Sequence, residues 1–292
     1  MKTEHPTPQP TVREFILQAA TKLRRRHPAE CRLLAELLLG MELGCARWEL
    51  ALRQSEPIPP RRLPRLQRKL ETLSRGIPWQ HLAGKTEFFG RSFRCDRRAL
   101  IPRPETEQLV TWILEHCITH ATARPVIAEA GVGSGCIIIT LALELPEANC
   151  LGTDISDEAL TLAIANARAR GVAGRIRFSR DDFLSSLPSA SLDMVVANPP
   201  YVTSAEYRRL PAHIRCHEPL LALDGGPDGM NAARRLAPQA ARCLRPGGWI
   251  YLEFAPGRMR RLRKILDTAG FAAIATGQDY HGRSHFMRAC KK

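Results

Sequence analysis

A chain of 292 residues is long for a single domain, so two unequal domains are expected. Its 44% hydrophobic content suffices for a packed core, no apolar run reaches transmembrane length, and the nine cysteines include no CxxC pair. A helical membrane protein, a zinc ribbon and a dithiol redox enzyme are thereby excluded. The net charge of +14 suits a phosphate- or carboxylate-rich partner or simply a solvated surface, and no zinc-finger spacing or RNA-binding aromatic signature accompanies it. Met1–Pro10 is polar and proline-rich, with neither a signal peptide's apolar stretch nor the pattern of a transit peptide, so a cytoplasmic location is expected.

Half of the charge excess sits in residues 1–80. There Val12, Phe15, Ile16, Ala19, Ala20 and Leu23 recur at the spacing of one buried helical face. Leu33, Leu34, Leu37 and Leu38 predict a second helix, and Leu63, Leu66, Leu70 and Leu73 a third, opened by Pro59-Pro60. Short helices joined by tight connectors make a small bundle that can grip a partner, and no catalytic constellation precedes residue 80.

Glycines then bracket a short aromatic segment in Pro78–Gly90, and Ser92–Cys95 completes a predicted β-hairpin. Ile101-Pro102-Arg103-Pro104-Glu105-Thr106-Glu107 opens a helix, with proline expected in its first turn and acids near the positive end of the dipole. These two strings together resemble the junction of the HemK/PrmC family, the protein-glutamine methyltransferases that act on peptide chain release factors. The boundaries that follow are 1–82 for a helical bundle, 83–103 for a hairpin linker and 104–292 for a catalytic domain.

Strands and helices alternate from residue 125 onward, which argues for a doubly wound α/β sheet with its ligand at the strands' carboxyl edge. Pro125–Ala130 is a short strand followed by Gly131-Val132-Gly133-Ser134-Gly135 and a helical run from Ile137. A glycine turn above a helix N-terminus lets a ligand approach the backbone. Its spacing is Gly-x-Gly-x-Gly preceded by Glu129, not the Gly-x-Gly-x-x-Gly of dinucleotide enzymes, and is similar to the first motif of S-adenosylmethionine-dependent methyltransferases. Cys150–Asp154 is a second strand, whose terminal acid is placed to bind ribose hydroxyls or to cap a helix. A third strand, Arg175–Phe178, delivers Asp182 and Phe183, which by the resemblance flank adenine.

The buried strand Leu192–Ala197 is stopped by Asn198-Pro199-Pro200-Tyr201, because two prolines cannot supply ladder N–H groups. The stop leaves the Asn198 amide oxygen and the Pro199 carbonyl as two acceptors able to grip a planar –NH2 group. The stretch resembles the motif of amino-methyltransferases, which methylate exocyclic base amines or glutamine amides. Tyr201 is expected to pack against the substrate side chain, and Pro200 to complete the substrate corner. His213, Cys216 and His217 share one helical face, but three ligands without a second cluster are no basis for a metal, and none is expected. Glu218–Met230 is a second family-like string, a glycine-rich loop expected to shape the pocket, with no individual role assignable to Glu218 or Asp224. Arg245–Phe254 reads as another central strand, Met259–Ala269 as a basic amphipathic helix, Phe271–Thr276 and His285–Ala289 as the last two strands, and Cys290–Lys292 as a frayed end.

The resemblance covers residues 10 to 289 and implies a Rossmann-like S-adenosylmethionine-dependent methyltransferase with an antiparallel last strand and an N-terminal helical bundle that binds release factors. The implied partners are release factors and, beyond them, the ribosome, with no sequence-specific nucleic-acid contact. A ribosomal-protein glutamine methyltransferase, a DNA adenine or cytosine amino-methyltransferase and an inactive translation-associated binding module are the alternatives.

Overall fold

The computed structural model describes residues 9–120 and 123–292, so the reading of the first eight residues lies outside it. Two units divide between Ala83 and Gly84. The first contains helices α1 (Val12–Leu23), α2 (Cys31–Leu43), α3 (Glu49–Leu52), α4 (Leu63–Ser74) and α5 (Trp79–Ala83). Thr11 and Glu14 form a reciprocal capping box that starts α1, and Gly44, in the left-handed region at φ 71°, ends α2. The face predicted for α1 packs on Leu34, Leu38, Leu66, Leu70 and Leu73 from the neighbouring helices. Lys22 and Glu71 join α1 to α4 across 2.6 Å.

The second unit begins with strands β1 (Lys85–Phe88) and β2 (Arg91–Arg94), an antiparallel hairpin. Phe88 and Phe93 meet edge to face and sink into the larger core, so the hairpin belongs to the body of this unit. Helix α6 (Thr106–Thr119) follows, with Glu107 in its first turn. Pro104 lies ahead of that turn rather than in it, because Glu105 occupies the cap position.

The main sheet is built from β3 (Val126–Ala130), β4 (Asn149–Asp154), β5 (Ile176–Arg180), β6 (Leu192–Ala197), β7 (Leu244–Glu253), β8 (Phe271–Gln278) and β9 (Ser284–Lys291). Its strand order is β5-β4-β3-β6-β7-β9-β8; the first five run parallel and β9 is antiparallel to both neighbours. Helices α7 (Cys136–Glu144) and α8 (Asp157–Ala169) carry the chain outward from β3 to β5. The chain then returns to lay β6 on the other side of β3, and this reversal opens a crevice at the carboxyl ends of β3 and β6.

Side-chain alternation splits the core into two layers. Ile127, Met194, Val196 and Tyr251 face α6, α7 and α8. Ala128, Val195, Ala197, Ile250 and Leu252 face α12 (Asn231–Cys243) and α13 (Met259–Thr268). Three short helices lie between β6 and α12: α9 (Ser204–Arg209), α10 (Ala212–Arg215) and α11 (Leu220–Leu223).

The carboxyl terminus is not frayed. Cys290 pairs with Trp249 and Ala272, Lys291 pairs with Phe271, and Lys291 Nζ donates to the Leu244 carbonyl at 2.6 Å. Two adjacent strands satisfy a backbone that the short, basic ending suggested was free. Deleting Cys290–Lys292 is expected to cost roughly 1–3 kcal/mol, lowering the thermal midpoint by several degrees. A melting curve superposable on that of the full chain would show the pairing to be dispensable.

Candidate active site

The end of β3 shapes the glycine turn. Gly131, Gly133 and Gly135 all have positive φ, at 78°, 52° and 81°. The Gly131 and Val132 N–H groups both donate to the Thr153 carbonyl at 2.8 Å, fastening the turn to β4. Asp154, at the end of β4, accepts from Gly133 N–H and Ser156 N–H, at 2.9 Å each. It is thus a turn anchor as well as an acid at the cavity wall, and each oxygen keeps a lone pair for a further donor. An ideal Cβ built on Gly131 meets no atom within 4 Å, so the protein itself does not fill the space over this glycine. A Cβ on Gly135 would come within 2.8 Å of Ile139 and 3.1 Å of Ala163, so that glycine serves the packing of α7 against α8. Glu129 is buried beneath the turn, where Oε2 accepts the Ile138 N–H at 2.8 Å; burial holds its carboxyl well above the usual range.

A cavity of about 430 Å³ opens over these strand ends. Of the residues expected there, Gly131, Val132, Gly133, Ser134 and Asp154 line one side. Asp182, Phe183, Asn198, Pro199 and Pro200 line the rest, whereas Gly135 and Tyr201 are not on the wall. The Tyr201 ring packs on Phe254 at 5.6 Å and backs the corner from behind, in an environment whose burial raises its phenol further above neutrality.

The Asp182-Phe183 turn has a partner that the sequence did not announce. Arg235, from α12, pairs with the Asp182 carboxylate and places its guanidinium 5.5 Å above the Phe183 ring. Phe183 itself sits at φ 56°, a strained position for a bulky side chain, and Gln239 fixes the next residue by accepting the Leu184 N–H at 2.8 Å.

At the end of β6 the Asn198 side chain donates through Nδ2 to Thr106 Oγ1 at 3.3 Å. Thr106 in turn donates to Glu253 Oε2 at 2.7 Å, and the nearby Asn198 side chain pulls the Glu253 carboxyl toward its charged form. With Nδ2 engaged inside the protein, Oδ1 is the end of the amide left for a ligand. Glu253 ends β7 and is 2% exposed; burial lifts its carboxyl to about 7, against the pull of the Thr106 hydrogen bond. Neither Thr106 nor Glu253 was singled out from sequence.

The Glu218–Met230 loop also acquires roles. Buried Glu218 accepts from Ile101 N–H at 3.1 Å and Arg103 at 2.6 Å, fastening the segment before α6 to the loop. Asp224 accepts from Ser204 Oγ and Gly226 N–H, at 2.9 Å each. Gly225 approaches the corner so closely that a Cβ there would lie 2.7 Å from the Pro200 carbonyl and 2.9 Å from Tyr201 Cα. Val202 is held to the same loop by donating to the Leu223 carbonyl at 3.0 Å and accepting from Gly225 N–H at 2.7 Å. Among the described residues no group of three or more His, Cys, Asp or Glu side chains is placed to hold a metal ion, and no helix is long and apolar enough to cross a membrane.

A glycine turn at the sheet's reversal point, an acid one strand away and an amide corner on the next strand define a Rossmann-like methyltransferase, and residues 109–214 match the Methyltransferase small domain family. Residues 14–84 match the PrmC N-terminal domain. Over 286 residues the chain is 38% identical to the release factor glutamine methyltransferase of Moorella thermoacetica, covering 97% of this chain and 99% of that one. The same-named protein of Chlorobaculum tepidum is 39% identical over 86% of this chain and 87% of its own. The chain belongs to the release factor glutamine methyltransferase family. Its likeness to the N-terminal domain of human METTL16 in complex with SAH is one of fold, with a TM-score of 0.50 and 19% identity over 70% of this chain and 76% of that one.

Because backbone, not a movable side chain, blocks the space beside Gly225, Gly225→Ala is expected to displace the Pro200-Tyr201 corner. Methyl transfer should fall at least about tenfold while cofactor affinity, measured calorimetrically, stays near that of the parent. Equal loss of both would mean that the loop supports the whole cavity and not the corner alone.

Proposed function

We propose that this protein transfers a methyl group from S-adenosylmethionine to the side-chain amide nitrogen of a glutamine, the Gly-Gly-Gln glutamine of peptide chain release factors. The observation that carries this reading is the Asn198 amide, held at a strand end with its nitrogen engaged and its oxygen available, in the same cavity as the glycine turn. The cavity's size is in the range of small-molecule sites, and open space over Gly131 suits close approach of a cofactor to the backbone. Gly131–Gly135, Asp154, Asp182 and Phe183 would hold that cofactor: the glycines through backbone approach and turn shape, Asp154 at ribose hydroxyls, Asp182 and Phe183 at the base. Arg235 must then yield the Asp182 carboxylate or share it.

The cofactor supplies an electrophilic sulfonium methyl. A glutamine amide nitrogen is a weak nucleophile, because its lone pair is delocalised into the carbonyl. Asn198 Oδ1 and the Pro199 carbonyl hold its two hydrogens, turning the nitrogen's π face toward the methyl, while Pro200 stiffens the corner and Tyr201 backs it. Alignment of this kind is worth up to ~7–11 kcal/mol, so a strong general base is not needed before transfer. The new N–C bond forms as the S–C bond breaks, and the displaced amide proton leaves to solvent.

The helical unit, residues 1–82, is the proposed release-factor-binding part, a reading supported by its match to the PrmC N-terminal domain and by its basic composition. The setting is the cytoplasm, in association with translating ribosomes, and sequence-specific nucleic-acid recognition plays no part.

The test is to incubate the full chain with methyl-labelled cofactor and, separately, a release factor, a ribosomal protein and DNA, and to locate the label by mass spectrometry. The label is expected on the Gly-Gly-Gln glutamine; label on another substrate alone would refute the assignment. In the same assay Asn198→Ala should lose about 10²-fold or more in kcat with cofactor affinity little changed. An unaltered kcat would remove Asn198 from the chemistry.

A further inference from the structure

The Asn198 amide can face the cavity with either end, and only one serves a substrate –NH2 group. What selects that end lies behind it, in a chain of side chains contributed by three elements. Asn198 follows β6, Thr106 opens α6 and Glu253 closes β7. Thr106 and Glu253 are each 2% exposed, so water does not compete for their hydrogen bonds.

We propose that Glu253 is a positioning residue for the transfer reaction: acting through Thr106, its carboxylate dictates that Asn198 shows its oxygen, not its nitrogen, to the substrate amide. The inference rests on the reading of this site as an amide methyltransferase. A carboxylate only accepts, so the Thr106 hydroxyl proton must point at Oε2, across 2.7 Å. Thr106 Oγ1 then has lone pairs, and no proton, to offer Asn198, and accepts from Nδ2 at 3.3 Å. Turning the amide over would set two oxygens against each other in a buried place, an arrangement that proteins avoid. The nearby Asn198 side chain also favours the charged form of the Glu253 carboxyl, as an amide turned with its N–H end inward would.

The device depends on charge. Protonated Glu253 can donate to Thr106, whose hydroxyl is then free to turn toward Asn198 and to accommodate either end of the amide. Burial places this ionisation at about 7, within the working range of a cytoplasmic enzyme. The groups around it are few. Glu105 and Arg103, ahead of α6, act on it with opposite signs. Cys136 at the start of α7 and Tyr201 after β6 are both raised above their ordinary values by burial and stay neutral, and His285 on β9 is lowered by burial. Cys136 and Tyr201 therefore keep one charge state where Glu253 changes its own, and His285 is displaced the opposite way from Glu253. Since the ionised form orders the site, kcat should rise with pH through a midpoint near 7 and fall on acidification.

The full chain is tested in two ways. In methyl transfer to a release factor, the alkaline rise in kcat is expected for the parent and absent from Glu253→Gln, which cannot ionise. Thr106→Val keeps the shape without the hydroxyl and should lose about tenfold in kcat with cofactor affinity unchanged, while Thr106→Ser restores activity. Independently of any substrate, the side-chain NH2 resonances of Asn198 should titrate near neutral pH in the parent and not in Glu253→Gln. Failure of the parent to methylate a release factor would count against the proposed function and leave the resonance titration to decide this inference. A pH profile that survives in Glu253→Gln, full kcat in Thr106→Val, or Asn198 resonances indifferent to Glu253 would overturn it.

Discussion

The site depends on one constraint: the chain leaving β6 must turn at once and cannot relax. Pro199 and Pro200 fix two backbone angles and offer no N–H to the sheet, so the strand ends abruptly with an asparagine on its last step. Gly225 presses on the corner from outside, and Val202 is bonded to the same loop. A substrate amide held by one side-chain oxygen and one carbonyl is only as well aimed as this corner is stiff. The surrounding contacts, from the tilted packing of Tyr201 on Phe254 to the clamp of Glu218 on Ile101 and Arg103, serve that stiffness.

Three buried glutamates at the carboxyl edge of the sheet show how much polar structure the site carries. Glu129 supports the first turn of α7, Glu218 ties two distant segments and Glu253 sits behind the amide. Burying such groups disfavours their charged forms, and for Glu129 and Glu253 the carboxyl is raised accordingly. A carboxyl whose folded value exceeds its unfolded one contributes stability below the unfolded value and loses it as pH rises through the folded value. For Glu253 that window runs from 4.5 to about 7. The fold is therefore most tolerant of Glu253 in the protonation state least able to orient Asn198, which sets stability against activity at this position.

How much of this was legible in the sequence depended on distance along the chain. The glycine turn, Asp154 and Asn198 could be read because each closes a short apolar strand, and in a parallel sheet such ends converge. Gly135 and Tyr201 belonged to the same strings but serve packing behind the wall, a distinction that only side-chain direction reveals. Thr106 and Glu253 are 147 residues apart, and Asp182 and Arg235 meet across β6 and three short helices, so no local pattern marks them. Thr106 reads as an ordinary residue near a helix start and Glu253 as one acid in an apolar strand. The last residues misled for a related reason: Cys290-Lys291-Lys292 has the composition of a loose end, while β7 and β8 supply it with partners.

The central claim is geometrical, and a crystal structure of the full chain with S-adenosylhomocysteine and a Gly-Gly-Gln peptide tests it most directly. The account expects the glutamine –NH2 group within hydrogen-bonding distance of both Asn198 Oδ1 and the Pro199 carbonyl, with its nitrogen facing the sulfur across the cavity. A glutamine bound with its carbonyl oxygen toward Asn198, or seated away from the corner, would contradict it.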